Sequence, residues 1–561
     1  MNLYKLAKDE IINKIEESLK KCIDSGVFNL ENIPEIMIEK PKEKSHGDFA
    51  TNIAMELTRI LKRNPREIAT EIVNNIDKSN SLIETIEIAG PGFINFKMKK
   101  DWAYKVINAI LDNPTNYGKI DYGNNKRVMV EFISANPTGP MHMGNARGGA
   151  LGDCLANLLK YAGYDVTKEF YVNDAGNQIE KFGLSLECRY LQLIGQDIEM
   201  PEDSYHGEDI IERVKEYLDI YGDDLKDLSS DQRRQKLVDY ALNKNISIMK
   251  EHLRRYGIEY DVWFYESSLH SSNQVKETID LLSKNGYTYE KEGAVWFAAS
   301  KLDPQLKDEV LIRNNGIPTY FAADIAYHRN KFVERNFDIV IDIWGADHHG
   351  HIPRMKAAMK ALGIDPDRLI ILIMQLVRLV RGKEVVRMSK RTGKAITLID
   401  LIDEIGKDAA RFMFNTKSAD THVEIDLDLV VKQTTDNPVF YVQYAHARTN
   451  GILRALKEEG IEFNKDKINP QLLTQEEEID LLKKLIELPE EVLIAAKNLE
   501  VSRITRYLLD LASNFHSFYN ACKVKVEDEA LMQTRLSLVE CVRIVTKNLL
   551  DLLGVEAPER M

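Results

Sequence analysis

Hydrophobic and polar positions predict a strand, a turn and a helix near the end of the first quarter of the chain. The strand is the apolar run 128–133, VMVEFI, which contains a single acid. Two prolines and a glycine follow in SANPTGP, which is typical of a tight turn. The next run, NARGGALGDCLANLLKYAG, has the spacing of a helix that ends at Gly163. The helix therefore begins close to His142.

The start of this helix has the chemistry of an anion-binding site. Its free backbone N–H groups and its dipole favour a negatively charged ligand. Gly144 allows a flat or charged ligand to approach the backbone. His142 can donate a hydrogen bond to a phosphate oxygen whose charge grows in a transition state. A plain strand–turn–helix unit has the same pattern, so a second element is needed to support a functional site.

Further strands predict an open α/β sheet around this unit. One strand, in VTKEFYVND, ends at Asn173 and Asp174, and another, in DIVIDIWGADHHGH, runs into a polar turn. Open α/β sheets bind their ligands at the carboxyl ends of such strands. The run 369–380, LIILIMQLVRLV, predicts one buried parallel strand. Residues 180–256 are rich in charge at helical spacing and predict a helical insertion.

The two ends of the chain have different patterns from this centre. Residues 1–115 mix helical and strand-like runs and predict a small α+β domain, with a helix that starts at Asp48. The segment 111–128 is rich in Asn, Gly and Tyr and marks the boundary. Residues 437–561 have helical periodicity with few strand signals, so they predict an all-α bundle.

Composition narrows the classes of function. The 561 residues carry a formal net charge of −13, which argues against a general nucleic-acid coat protein. A local basic strip, residues 376–394, stands out from this acidic background. The five cysteines are scattered, so neither a disulfide framework nor a cysteine-based zinc site is indicated. The N-terminus has no signal-peptide pattern, and no apolar run reaches the ~20 residues that span a bilayer. We therefore expect a soluble, cytoplasmic protein.

A short loop in the basic strip supplies the second element. Met388, Ser389 and Lys390 lie there among arginines, in VVRMSKRTGKAIT, although a solvated basic loop has the same composition. Together with the helix start at 142–145, this loop resembles the HIGH and KMSKS signatures of class I aminoacyl-tRNA synthetases. The ordered match from EFISANPTGPMHMGNARG to the end of the chain resembles the arginyl-tRNA synthetases of the bacterial type.

Both signatures depart from the family pattern. Asn145 stands where HIGH ends in histidine, Arg387 replaces the first lysine of KMSKS, and Arg391 replaces its final serine. Lys390 is the lysine that remains, and Lys126 is a candidate substitute for the missing one.

The resemblance implies an α/β fold in which a class I Rossmann-type catalytic domain is combined with a small α+β N-terminal domain and an all-α C-terminal helical bundle. The implied divisions are an N-terminal additional domain that contacts the tRNA elbow (1–115), the catalytic domain with its helical insertion at about 180–256 (116–380), the KMSKS-like loop with a stem-contact region of two helices (381–436), and a helical anticodon-binding domain (437–561).

The resemblance also implies the reaction and its partners. L-arginine and ATP with Mg²⁺ would give arginyl-adenylate, and the arginyl group would pass to the terminal adenosine of tRNA(Arg). A monomer without a tightly bound metal and without affinity for DNA or membranes is expected. The implied catalytic residues are His142, Asn145 and Lys390, and the implied ATP-binding residues are His142, Gly144, Asn145, Met388, Ser389 and Lys390.

Selection of arginine requires acids, because a guanidinium presents a planar fork that matches a carboxylate. Glu131 is a candidate because an unpaired carboxylate in an apolar strand is costly, and Asp324 follows Tyr320 by four residues. The family pattern implies further pocket residues at Asn136, Tyr320, Asp347 and His348. For tRNA, the aromatic and basic candidates are Tyr441, Tyr444 and Arg448, although an aromatic stripe on a bundle helix is often core.

Other interpretations of the same residues stay open. Glu131 could be an edge-strand charge that points at solvent. The histidines of GADHHGH suggest zinc, but no cysteine is nearby and the spacing is not that of a helical zinc site. A small nucleotidyltransferase would share the helix start but would need neither terminal domain. A tRNA-binding relative that has lost catalysis would explain the altered signatures at Asn145 and Arg387.

Overall fold

A computed structural model describes residues 2–388 and 395–561 of the chain. The N-terminal part is an α+β domain built on a three-stranded antiparallel sheet of order β1–β3–β2. Its elements are α1 (Leu3–Asp24), β1 (Phe49–Thr51), α2 (Ile53–Leu61), α3 (Pro65–Asn75), β2 (Ile83–Ala89), β3 (Phe93–Met98) and α4 (Lys100–Leu111).

The predicted helix start at Asp48 is wrong. The residues after it form β1, whose hydrogen bonds to the distant β3 override the local helical signal. The Asp48 carboxylate instead accepts the backbone N–H of Met98 at 2.8 Å, and α2 begins after Asn52.

A five-stranded parallel sheet of order β11–β10–β4–β5–β6 forms the centre of the molecule. The elements of its first half are β4 (Arg127–Glu131), α5 (Met143–Tyr161), β5 (Asp165–Val172), α6 (Asn177–Leu193), α7 (Glu208–Tyr221), α8 (Ser230–Arg255) and β6 (Val262–Tyr265). The helix expected from about His142 to Gly163 is confirmed as α5. The three helices α6 to α8 lie where the helical insertion was predicted, between two neighbouring strands.

The second half of this region adds a small sheet and the remaining strands. Its elements are α9 (Glu266–Ser271), α10 (Gln274–Lys284), β7 (Thr288–Lys291), β8 (Ala294–Phe297), β9 (Glu309–Ile312), α11 (Tyr320–Arg329), a π-helical turn (Asn330–Glu334), β10 (Ile339–Gly345), α12 (Ile352–Ala361) and β11 (Leu369–Met374). The central position of β4 follows from this topology, so Glu131 is not on an edge strand.

The region after the central sheet has a second small sheet, of order β13–β12–β14. Its elements are β12 (Val377–Arg381), β13 (Glu384–Val386), α13 (Leu398–Ile405), α14 (Lys407–Phe414) and β14 (Val423–Asp426). The single strand predicted over 369–380 is therefore two strands in two sheets. The two predicted helices are confirmed, and β14 was not predicted.

The C-terminal part is a bundle of four long helices, as its periodicity predicted. The helices are α15 (Pro438–Glu458), α16 (Glu476–Asn498), α17 (Ser502–Ala521) and α18 (Glu529–Leu553). Buried Arg411 on α14 joins this bundle to the catalytic region, because its guanidinium donates to the carbonyl oxygens of Leu553 and Tyr256. The same guanidinium forms an ion pair with Asp153 on α5. The helix that begins at His142 is thus fastened to the end of the last helix.

Salt bridges also fasten the N-terminal domain to the bundle. Lys40 pairs with Glu487, Lys44 pairs with Asp480, and Lys483 lies 2.6 Å from Asp48. The ion pair of Lys44 with Asp480 gives this lysine a structural role between the two domains. Among the described helices, none is long and apolar enough to cross a membrane.

Candidate active site

The chain leaves the central strand β4 through two strained residues. Ile133 and Ser134 have φ angles of 68° and 43°, in the left-handed region that β-branched residues rarely adopt. The Ser134 hydroxyl donates to Glu131 at 2.9 Å and accepts the backbone N–H of Tyr171 at 3.1 Å. These two bonds hold the strained turn, which directs the chain from the end of β4 towards the start of α5.

The start of α5 is bonded to the chain that follows the basic loop. The backbone N–H of Met143 donates to the carbonyl of Ile396 at 3.1 Å, and the N–H of Leu398 donates to the carbonyl of Met141 at 2.9 Å. The helix start therefore meets the chain directly after the basic loop, although about 250 residues separate the two in sequence. Ser389 and Lys390 lie outside the described residues, and Met388 before them is exposed.

Asn145 has a structural bond at this helix start. Its side-chain oxygen accepts the backbone N–H of His142 at 2.8 Å, which closes the first turn of α5. A Cβ atom added to Gly144 would meet nothing within 4 Å, so the protein itself does not require glycine there. His142 and Gly144 are exposed at the end of the helix. This arrangement leaves room for a ligand against the backbone N–H groups.

The basic strip is partly neutralised by acids that follow it in sequence. Arg381 forms ion pairs with Glu404 and Asp428, and Arg378 lies 3.5 Å from Glu424. These partners come from the region of α13 to β14, which folds back onto β12. The strip therefore presents less positive charge than its sequence suggests.

A cavity of about 610 Å³ lies beside the carboxyl ends of β5 and β6. Glu266, the residue directly after β6, lines it and is 3% exposed. Burial raises the pKa of the Glu266 carboxyl, and the nearby charge of Asp324 raises it further. A carboxylate whose pKa is raised by burial and by a neighbouring negative charge is stabilised by a ligand with positive charge. The cavity is therefore suited to a cationic group.

Helix α11 brings Tyr320 to the lining of this cavity and Asp324 close to Glu266, and the prediction that Tyr320 and Asp324 lie on one helix is confirmed. The Tyr320 hydroxyl accepts the backbone N–H of Gln178 at 3.3 Å, and Tyr320 lines the cavity beside Gly176. The Asp324 carboxylate lies 3.3 Å from Nε2 of His351 and remains 38% exposed. The Asp324 carboxylate thus contacts His351 and remains accessible to a ligand.

Sequence reasoning missed Glu266, although a signal was present. The strand in DVWFYESSL ends in a polar residue, which is the same pattern that directed attention to Asn173 and Asp174. The strand is only four residues long and its acid is followed by a short helix, so the end of the strand was not evident.

Glu131 is buried and already has a cation of the protein as its partner. Its carboxylate accepts from Nζ of Lys331 at 2.6 Å as well as from Ser134, and its exposed fraction is 9%. The alternative interpretation of Glu131 as an edge-strand charge that points at solvent is therefore excluded. The argument that a bound guanidinium must neutralise Glu131 also fails, because Lys331 neutralises it in the free protein.

The other predicted pocket residues are more exposed. Asn136 is exposed in the turn after β4. Asp347 and His348 lie in the 3₁₀ turn after β10, 3.6 Å from each other, with side chains 81% and 59% exposed. Both lie at the carboxyl end of the sheet, which is where open α/β sheets bind their ligands. Among the described residues, no group of three or more His, Cys, Asp or Glu side chains is placed to hold a metal ion.

A second cleft, of about 1000 Å³, lies in the C-terminal bundle. The Arg448 guanidinium stacks between the rings of Tyr444 and Tyr519, at 4.6 and 4.8 Å from their centroids. Tyr441 does not line the cleft and packs instead against His516, at 5.0 Å between ring centroids. Aromatic and basic side chains together in one open cleft are suited to unpaired nucleotides.

Three family models match successive parts of the chain. They are described as the arginyl tRNA synthetase N terminal domain, the class I (R) tRNA synthetase catalytic domain and the DALR anticodon binding domain, and they match residues 9–98, 106–453 and 442–561. The catalytic model alone covers more than half of the chain. The arginine–tRNA ligases of Acetivibrio thermocellus and of Caldanaerobacter subterraneus subsp. tengcongensis are each 56% identical to it, with 100% of both chains covered.

Solved structures agree with this assignment. An arginyl-tRNA synthetase structure from Campylobacter jejuni has a TM-score of 0.75 at 36% identity and covers 83% of this chain and 100% of its own. The arginyl-tRNA synthetase structure from Thermus thermophilus has a TM-score of 0.76 at 21% identity over 98% of this chain and 99% of its own, and it shows the shared fold. The chain belongs to the arginyl-tRNA synthetase family of class I synthetases.

Proposed function

We propose that this chain is an arginine–tRNA ligase that makes arginyl-adenylate from L-arginine and ATP and transfers the arginyl group to tRNA(Arg). The observation that carries the proposal is the carboxylate of Glu266, close to Asp324, in a cavity at the carboxyl ends of β5 and β6. The relatives at 56% identity over the whole chain support the same activity. Among the described residues of the site, nothing favours a relative that has lost catalysis.

In the first step, a carboxylate oxygen of arginine attacks the α-phosphorus of ATP. A new P–O bond forms, the bond to the bridging oxygen breaks, and pyrophosphate leaves with the electron pair. His142 and the N-terminal N–H groups of α5 bind phosphate oxygens, and Lys390 supplies positive charge as negative charge develops on them. Magnesium enters with ATP as part of the substrate, and positioning and electrostatics provide the rate.

Arginine binds with its guanidinium between Asp324 and Glu266. Two carboxylates can accept its N–H groups in the fork geometry that distinguishes it from lysine. Tyr320 closes the side of the cavity at α11. Asn136, Asp347 and His348, at the carboxyl edge of the sheet, are assigned to the remainder of arginine and to the nucleotide. Glu131 is assigned to the wall of the site, through the turn that it holds at Ser134.

The tRNA contacts extend over both terminal domains. Unpaired anticodon bases stack in the bundle cleft on Tyr444 and Arg448, while Tyr441 supports the cleft from behind. The N-terminal domain is assigned to the elbow of the tRNA. We further propose that the protein acts as a cytoplasmic monomer, with neither DNA nor a membrane as a partner.

The proposed function is tested by ATP–pyrophosphate exchange. We expect exchange with arginine only when tRNA is also present, because the altered loop signature around Arg387 fits a site that is completed by RNA. Exchange with lysine in place of arginine is the matched control and should stay at background. Full exchange without tRNA would contradict the expected order of binding, and no exchange under any condition would favour a relative that has lost catalysis.

Lys390→Ala is expected to slow adenylate formation by about 10²-fold, because it removes a charge directed at the transition state. Arg387→Ala is the matched control in the same loop and should cost less, since arginine there already departs from the family pattern. Single-turnover formation of arginyl-adenylate with saturating tRNA measures both. A larger loss for Arg387→Ala would reassign the role to that residue.

A further inference from the structure

Three buried carboxylates form a row across the central sheet. Asp342 on β10 is in register with Glu131 on β4, and Glu131 is in register with Glu169 on β5. Their exposed fractions are 0%, 9% and 0%. Like charges on directly opposite residues of neighbouring strands are destabilising, and burial increases the cost. The row therefore requires neutralisation from another element.

One segment, residues 327–335, supplies the cations Lys331 and Arg335 that contact the row. Nζ of Lys331 lies 2.6 Å from Glu131 and 2.9 Å from Asp342, so it bridges two members of the row. Arg335 donates two N–H groups to Glu169, and the hydroxyl of Tyr327 donates to the same carboxylate. The π-helical turn Asn330–Glu334 lies in this segment, and such turns are frequently found at functional sites.

His328 supplies a further polar contact of the segment with the row. Its Nδ1 lies 2.7 Å from the backbone carbonyl oxygen of Asp324, and its Nε2 lies 2.8 Å from the Asp342 carboxylate. The imidazole therefore connects the Asp324 carbonyl with the Asp342 carboxylate. Burial alone would raise the pKa of Asp342, but Lys331 and His328 lower it to about 2.

The segment is continuous with the helix that carries the candidate arginine site. Tyr320, at the start of α11, lines the cavity, and Asp324 follows it by one helical turn. The row is contacted from the other end of α11. One ring nitrogen of His328 faces the Asp324 carbonyl and the other faces Asp342, so His328 connects the row to the backbone of Asp324.

We propose that His328, Lys331 and Arg335 are positioning residues for arginine selection, which bind the carboxylate row and thereby fix Asp324 at the arginine cavity. The inference rests on the proposed function, because Asp324 has its role only if arginine binds there. None of the three touches the cavity itself, so their effect should appear in the binding of arginine and not in the binding of ATP.

The first test is His328→Ala in pyrophosphate exchange with saturating tRNA. We expect the KM for arginine to rise about tenfold, which is within the range of measured coupling between contacting residues, while the KM for ATP stays within about twofold. His328→Gln keeps a donor directed at Asp342 and should restore part of the arginine affinity. The matched control is Arg329→Gln, since Arg329 pairs with Glu334 at 3.1 Å outside the row. A parallel rise in both KM values would overturn the proposal.

The second test is a double-mutant cycle with Asp324→Asn. If His328 acts through Asp324, His328→Ala should change the KM for arginine by less than about twofold once Asp324 is already replaced. Additive effects would overturn the proposal. If Asp324→Asn alone leaves the arginine KM unchanged, the proposed guanidinium site is wrong and the positioning role falls with it. If Asp324→Asn raises the KM for arginine and His328→Ala does not, the proposed guanidinium site is supported and only the positioning role is rejected.

The stability of each variant is measured as a control for misfolding. Thermal unfolding of each variant without ligand separates loss of structure from loss of affinity. Should His328→Ala fail to fold, Arg335→Lys provides the same test, because it keeps the charge and loses the two-pronged contact with Glu169. Arg335→Lys should raise the KM for arginine and leave the KM for ATP unchanged. An equal change in both KM values, or no change in either, would overturn the proposal.

Discussion

Replacing Asp324 by asparagine is expected to raise the KM for arginine by about 10²- to 10³-fold, the cost of leaving one charge of a buried pair without its partner. Asparagine has the same shape but offers no charge to the guanidinium, and one of its positions donates where an acceptor is needed. The KM for ATP should change little, because Asp324 lies on α11 and the nucleotide is assigned to the start of α5. Pyrophosphate exchange with saturating tRNA, with arginine and then ATP varied, measures both.

The selectivity of this variant carries further information. Citrulline has nearly the shape of arginine but no charge, so the parent enzyme should reject it and Asp324→Asn should reject it less strongly. Asp367→Asn is a matched control, because its side chain is 93% exposed and far from α11 in sequence. Glu266→Gln should resemble Asp324→Asn. A threefold change in KM corresponds to about 0.6 kcal/mol. If both variants keep their KM for arginine within threefold of the parent value, the guanidinium site is elsewhere.

Replacing Arg411 by methionine is expected to destabilise the folded protein by about 3–5 kcal/mol, the usual cost of breaking a buried ion pair from one side. Arg411 is fully buried, and its loss would leave the carbonyl oxygens of Leu553 and Tyr256 without their donor. Asp153 would retain Lys168 at 2.6 Å, which places the expected cost near the lower limit.

Denaturant unfolding followed by circular dichroism measures this loss. Arg506→Met is the matched control, because Arg506 is exposed on α17, and such surface changes are usually worth less than about 0.5 kcal/mol. An Arg411→Met variant as stable as this control would show that the junction between α5, α14 and α18 contributes little to stability.

Local signals in the sequence located most elements and part of the candidate site. Helix α5 and the four bundle helices are long runs of 19 to 25 residues, and Tyr320 and Asp324 share a helix whose spacing is visible in the sequence. These features depend on residues within one or two turns of each other, so a single sequence contains them.

Features that depend on distant residues could not be predicted. The strand expected over 369–380 divides because the N–H of Gln375 bonds to the carbonyl of Ala419, and Arg147 donates to the carbonyl of Gln375. Glu131 and Lys331 are 200 residues apart in sequence, so no local pattern indicated that the carboxylate has a partner. Glu266 does follow a strand in the sequence, but its proximity to Asp324 is visible only in the structure.

The contact between α5 and α18, the last helix, affects how the chain folds as it is synthesised. Sγ of Cys154 on α5 bonds to the carbonyl of Leu553, 399 residues later. At the usual ~5–20 residues per second of translation, α5 is synthesised roughly 20–80 s before Leu553. Until then its buried face, which includes Asp153 and Cys154, lacks the surface that covers it. The nascent catalytic region is therefore exposed to aggregation and chaperone binding until the C-terminus leaves the ribosome.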